Sequence, residues 1–268
     1  MASVTVALIT ISCLLTPTII SASGDSLQDL ISSGNYEFID LSHAFNNLTS
    51  SFPGILKFKF IKKSVNPSGD KSAWYAANDF ETGEHAGTHI DAPYHFYEQG
   101  KYVGDLPLER LIVSLRVADV TSKVNGNADY VLYKKDLDNL LNETFDKPCV
   151  LLFKFGWSQY FNDAQKYFGF DGTKAKFPGL STEVAEWIIT NKNILGVGVD
   201  SPSVDPGPST DFAVHRILSR AGLYNLENVN VHGQINEKKC TALVLPMKIE
   251  HGTGAPVRLV AVCPKVTL

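Results

Sequence analysis

Eleven consecutive residues concentrate the reactive side chains of this sequence: His85-Ala-Gly-Thr-His89-Ile-Asp91-Ala-Pro93-Tyr-His95. Three of the seven histidines of the chain fall here, with an aspartate two positions after the second. Side chains on an extended backbone alternate faces. His85, Gly87, His89 and Asp91 are therefore expected on one face of a strand, with Ile90 and Ala92 turned towards a core. A helix would align His85 with His89 but swing Asp91 away. Two imidazoles and a carboxylate pointing into one space form a ligand set for zinc or another divalent transition metal. Gly87 is expected to leave a gap through which an ion or substrate approaches the backbone. Pro93 ends regular pairing, which puts His95 on a loop, free to carry a proton. The alternative is a set of hydrogen-bonded histidines with no ligand role. Three histidines and an aspartate so close together would be costly to bury unpaired, which favours a metal.

The elements that position this stretch follow from hydrophobic patterning. Strands are expected at Phe38–Leu41, Leu56–Lys62, Trp74–Phe80, Leu111–Val120, Cys149–Phe153 and Leu195–Val199, then at Leu226–Val231, Thr241–Ile249 and Val257–Cys263. Helices are expected at Leu27–Ile31 and Lys134–Asn142. A further helix begins after an N-cap at Ser181, and another, Asp211–Arg220, carries His215 and ends at Gly222. The aromatic stretch Gly156–Phe168 reads as helix or turn, and Ser201–Ser209, with three prolines and a glycine, as a shaped loop. Asp200, just before it, and Asp205, within it, either orient site groups or cap turns, and the turn roles are favoured. The pattern is that of one mixed α/β domain.

Composition bounds the function classes. The 268 residues are 44% hydrophobic and 19% charged, with net charge −4, a pI near 6.0 and mean hydropathy of −0.02. That is a soluble globular composition with no basic patch, so nucleic acid is not an expected partner. Ala2 to Ile20 carry no charged side chain, and the small residues Ser21, Ala22 and Ser23 follow. This reads as a signal peptide over residues 1–23, leaving a domain of 24–268, a secreted protein and no membrane attachment after cleavage. The sequons at Asn47 and Asn142 are candidate glycosylation sites on that route. Cys13 lies in the leader; Cys149, Cys240 and Cys263 sit in apolar runs and read as buried thiols, at least one of them free or paired between chains. No Gly-x-Ser-x-Gly elbow, His-Glu-x-x-His helix or Cys-x-x-Cys pair is present.

The motif His-x-Gly-Thr-His-x-Asp-x-Pro-x-His, complete from His85 to His95, resembles that of the cyclase family, which includes bacterial-type kynurenine formamidase and isatin hydrolase. Pro107–Leu111, Gly196–Asp200 and Gly252–Pro256 extend the resemblance, which covers most of the chain after about Tyr36. It implies a swivelling β/β/α fold and a homodimer, for which the aromatic stretch from Trp157 to Phe170 is a candidate interface. It also implies a His and a Glu twelve residues apart as further ligands, matched here by His215 and Glu227. On that resemblance His85, His89 and Asp91 hold one metal, and Asp91, His215 and Glu227 a second. His95 takes the place of the acid/base, titrating near neutrality. The ions are Zn or Mn, with Fe also suited to a mixed imidazole and carboxylate set. His43, His232 and His251 have no comparable claim.

Three readings follow. The first is a metal-dependent amidase opening an aryl formamide, as in the conversion of N-formylkynurenine to kynurenine and formate in tryptophan catabolism. The second is an isatin hydrolase-like opening of a cyclic amide. The third is a secreted metal or ligand binder without catalysis, which leaves His95 without a purpose. Phe153, Trp157, Tyr160 and Phe161 are candidates for an aromatic wall around either substrate, although core packing is the commoner use of such side chains. The leader yields a test: the secreted protein starts near Gly24 and loses mass on glycosidase treatment. Mature protein retaining Met1 would sink that reading.

Overall fold

The structure is a computed structural model that describes residues 27–66, 69, 74–172, 174–231, 235 and 239–265. The leader over 1–23, Cys13 and His232 lie outside the described residues. In order, the strands are β1 (Tyr36–Asp40), β2 (Lys59–Val65), β3 (Ala76–Glu81), β4 (His89–Asp91), β5 (Ile112–Asp119) and β6 (Val131–Leu132). They continue with β7 (Cys149–Lys154), β8 (Gly179–Leu180), β9 (Ile194–Val199), β10 (Tyr224–Glu227), β11 (Cys240–Pro246) and β12 (Gly254–Pro264). The α-helices are α1 (Leu27–Ser32), α2 (Thr121–Val124), α3 (Ala164–Phe168), α4 (Thr182–Thr190) and α5 (Ala213–Arg220). From Tyr36 onwards the chain forms one compact unit.

Eight strands make one sheet in the order β1-β12-β11-β5-β7-β9-β10-β4. β4 also pairs with β12, so the sheet closes on itself into a barrel with β1 added on β12. β5, β7, β9 and β10 run parallel to their neighbours in that set; the other pairings are antiparallel. Alternation along each strand then separates two cores. One, inside the barrel, contains Ile90, Leu115, Leu152, Tyr224, Leu226, Ala242 and Leu259. The other lies outside it, where Leu151, Phe153, Val197 and Val199 meet Val184 and Ile188 of α4 and Val214 and Leu218 of α5. Each large side chain so buried contributes about 1.5–3 kcal/mol. Gly196 has a packing reason: a Cβ there would stand 2.2 Å from the Tyr224 ring.

Several expectations move. The strand expected at Leu56–Lys62 is displaced to Lys59–Val65, and that expected at Leu226–Val231 is the shorter Tyr224–Glu227. Lys134–Asn142 forms two short 3-10 turns rather than an α-helix. Ser181 does precede α4, but its side chain makes no cap bond and its buried Oγ has no partner. Trp157, Phe161, Tyr167 and Phe168 belong to the outer core, which leaves Phe170 as the exposed aromatic residue of this stretch. Phe153 and Phe161 are core residues too and form no substrate wall. By contrast, the β2–β3 hairpin carries exposed Ile61, Val65, Trp74, Tyr75 and Phe80.

The cysteines are also revised. Cys240 and Cys263 stand opposite one another on β11 and β12 and form a disulfide, while Cys149 remains a buried free thiol. Burial pushes the Cys149 thiol up to about 11, which leaves it inert. The disulfide spans 23 residues. Loop-closure entropy for a loop of that length is worth about 3 kcal/mol. A Cys240→Ala, Cys263→Ala double variant should lose roughly that amount in urea unfolding; unchanged stability would show that the bond adds nothing to the fold.

Candidate metal centre

His89 and Asp91 come from β4, whose alternation turns Ile90 into the barrel and both of them outwards. Glu227 on β10 is the register partner of His89 and joins them on that face. His85 arrives from the turn before β4, not from a continuous strand. The reason is Gly87, whose φ of +61° bends the chain. A Cβ there would press on Phe45 and Thr49. Gly87 thus serves the turn and its packing rather than an opening for an ion. His215 projects from α5.

His89, Asp91, His215 and Glu227 are buried, and His85 nearly so. Two trios result, His85–His89–Asp91 and Asp91–His215–Glu227, each with its donor atoms within 4.8 Å of one another. Asp91 belongs to both. Its Oδ1 lies 2.6 Å from His85 Nδ1 and 3.2 Å from His89 Nε2, and its Oδ2 lies 3.2 Å from His215 Nε2. Glu227 Oε1 is 3.0 Å from His215 Nε2, and Oε2 is 3.5 Å from His89 Nε2. Glu227 Oε1 also accepts from the Val204 amide at 2.9 Å.

Each imidazole is oriented from behind. His89 Nδ1 donates to the Gly87 carbonyl at 2.8 Å, and His215 Nδ1 to Asp205 Oδ2 at 2.6 Å. His85 Nε2 meets Thr253 Oγ1 at 2.9 Å, and that hydroxyl donates to Glu84 Oε2 at 2.6 Å. In every case the nitrogen left over points at the carboxylates, the arrangement by which metal-binding imidazoles are fixed. Gly254 makes room for this, since a Cβ there would stand 2.5 Å from His85 Cε1.

The electrostatics are those of a charged cluster out of water. Burial alone would push His89 and His215 down; Asp91 and Glu227 hold His89 above its ordinary value, and Glu227, Asp205 and Asp91 hold His215 well above. Burial would raise Asp91, but His85, His215 and His89 keep it well below the usual carboxylate range. Three imidazoles and two carboxylates so arranged fit two divalent ions, with Asp91 shared.

His95 ends a 3-10 turn begun by Pro93 rather than lying on open loop. It stacks on His85 at 4.0 Å. Burial lowers its pKa to about 4, against the opposing pull of Asp91, so it is neutral at pH 7 and does not titrate near neutrality. It faces a cavity of about 200 Å³, walled by Phe52, Ile55, Phe96, Phe168, Pro202 and Phe212. Phe212 and Phe96 meet at 5.3 Å, and Phe212 has a φ of +50°, a strained value for an aromatic residue beside a site.

Sequence reasoning placed the six residues His85, His89, Asp91, His95, His215 and Glu227, and the structure gathers all six. Asp205, for which a turn role is favoured over orienting site groups, does both. Asp205 caps α5 through the amides of Val214 and His215, both at 3.0 Å, and also orients the His215 ring. Its position ten residues before His215, inside a proline-rich loop, is the available signal. Asp200 does act at a turn, accepting from the amides of Phe155 at 2.7 Å and Trp157 at 2.8 Å, with burial raising its pKa to about 6. His43 stacks on Phe161, and His251 sits against Tyr102, away from the cavity wall. Asn47 and Asn142 are exposed.

Residues 39–206 match the family model described as "Putative cyclase". The kynurenine formamidase of Bacillus thuringiensis (strain Al Hakam) is 30% identical over 224 residues, 84% of this chain and 96% of that protein. The kynurenine formamidase of Bacillus anthracis is 29% identical over the same shares. Isatin hydrolase A from Ralstonia solanacearum superimposes with a TM-score of 0.80 at 26% identity, covering 94% of this chain and all of that one. The family model covers more than half of the chain, the relatives match over nearly all of their own length, and the chain belongs to the cyclase family.

Proposed function

We propose that this protein hydrolyses the carbon–nitrogen bond of a small aryl amide, and that an aryl formamide such as N-formylkynurenine is opened to the aryl amine and formate. The observation that carries this is the pair of donor trios sharing Asp91, with a neutral His95 beside them and an apolar aromatic cavity in front. The Bacillus kynurenine formamidases at about 30% identity support the formamide. A cyclic amide such as isatin is the second reading, favoured by the superposition on isatin hydrolase A and by a cavity wall that, among the described residues, holds no Lys or Arg to meet a charged substrate.

When bound, divalent ions supply Lewis acidity, activating water near neutral pH and polarising the carbonyl. Zn and Mn both suit this mixed set. The protein's own residues do the rest. Phe52, Phe96, Phe168 and Phe212 hold the aryl ring and exclude water. Neutral His95 accepts the proton of the attacking water and returns one to the leaving nitrogen. Asp205, Thr253 and the Gly87 carbonyl keep the imidazoles turned inwards.

We infer secretion as well. The apolar leader supports it, and so does the Cys240–Cys263 disulfide, a bond that persists in oxidising compartments. The apolar β2–β3 hairpin is our candidate for the homodimer interface, a second copy covering Ile61, Val65 and Phe80.

Four measurements test these readings. Purified protein is assayed with N-formylkynurenine and with isatin, with and without chelator; activity on either that chelator leaves intact would overturn the metal-dependent reading. Asp91→Ala and Glu227→Ala should lose metal and activity together. His95→Ala should keep its metal and lose turnover by roughly a hundredfold. Because His95 works as the unprotonated base, activity falls as pH drops through about 4, and that acid limb should vanish in His95→Ala. Should His95→Ala lose metal as fully as Asp91→Ala, His95 is a ligand instead. For assembly, light scattering should give a dimer for the native protein and a monomer for Ile61→Asp with Val65→Asp; a native monomer would refute the interface.

A further inference from the structure

Asn225 stands directly opposite Asp91 in the β4–β10 pair. Opposite residues of an antiparallel pair project from the same face. Their sequence neighbours Ile90 and Leu226 both point into the barrel. Asn225 therefore lies on the outer face with His89, Asp91 and Glu227. It is 0% exposed, and neither its Nδ2 nor its Oδ1 has a hydrogen-bond partner. On its other side the register neighbour is Val197, buried and apolar. A carboxamide sealed in with no partner destabilises a fold, and an apolar residue of similar size would not.

The state of Asp91 suggests why the amide is there. Its oxygens are occupied by three imidazole nitrogens, from His85, His89 and His215. Those same nitrogens are the ones directed at a metal. Once they bind metal through their lone pairs, they no longer give N–H groups to Asp91. The carboxylate then has room for a neutral donor, and opposite Cβ atoms at about 4.5–5.5 Å bring the Asn225 amide within reach, directly or through one buried water.

We propose that Asn225 is a positioning residue of the loaded centre. Its Nδ2–H donates to the Asp91 carboxylate and fixes how the two oxygens are shared between the trios. This rests on the metal-centre reading of the five ligands. It requires the amide to be a burden to the metal-free protein and an asset to the metal-bound one, and a residue that merely fills space would not behave so.

The test is Asn225→Leu, with Asn225→Ala as a second variant that cannot overfill the site. Metal-free protein is melted and then titrated with Zn²⁺ by calorimetry. The expected result is a metal-free Leu variant that melts about 3–6 °C higher than the native protein. In both variants the zinc dissociation constant rises tenfold or more. If the native protein binds zinc tightly and both variants match it within twofold, the proposal is overturned while the metal centre stands. If the native protein binds no zinc, the metal centre itself fails, and the role of Asn225 with it.

Discussion

One buried carboxylate organises this molecule. Asp91 is 1% exposed and touches three imidazoles that come from a turn, a strand and a helix. An ionised carboxylate out of water is costly unless it is paired. Here the pairing draws in residues from sequence positions 85 to 215. The second requirement is that the imidazoles stay in place, and the Gly87 carbonyl, Asp205 and Thr253 do this from behind. Removing any of these anchors leaves a ring nitrogen without its acceptor and frees the ring to turn.

The barrel makes the arrangement stiff. β4 has only three residues, yet it is hydrogen-bonded on both sides, to β10 and to β12. Its alternation sends Ile90 inwards to apolar packing and His89 and Asp91 outwards to the chemistry. The same division recurs on β10, with Leu226 inwards and Glu227 outwards.

Much of this was legible in the sequence, for identifiable reasons. A period of two gave the shared face of His89 and Asp91. A helical pattern placed His215, and the twelve-residue interval to Glu227 came with the family resemblance. What could not be read were contacts that depend on tertiary closure. The turn at Gly87 follows from packing against Phe45, which no local pattern encodes. The Cys240–Cys263 bond follows from the β11–β12 register. The run from Phe153 to Phe161 offers either a wall or core packing; its side chains pack in the outer core, and the cavity uses Phe52, Phe96, Phe168 and Phe212, scattered along the chain. Composition shows how many aromatic residues exist and not which face each one finds.

That scatter separates two inheritances. The donors to the centre sit mainly on β4, β10 and α5, elements locked into the sheet or packed on it. Phe52, Phe96, Pro202 and Phe212 lie between regular elements, on segments free to drift in sequence. Descendants of such a chain can exchange the wall, and so the molecule that is admitted, without disturbing the groups that react with it. Relatives would then be expected to share their chemistry more faithfully than their diet.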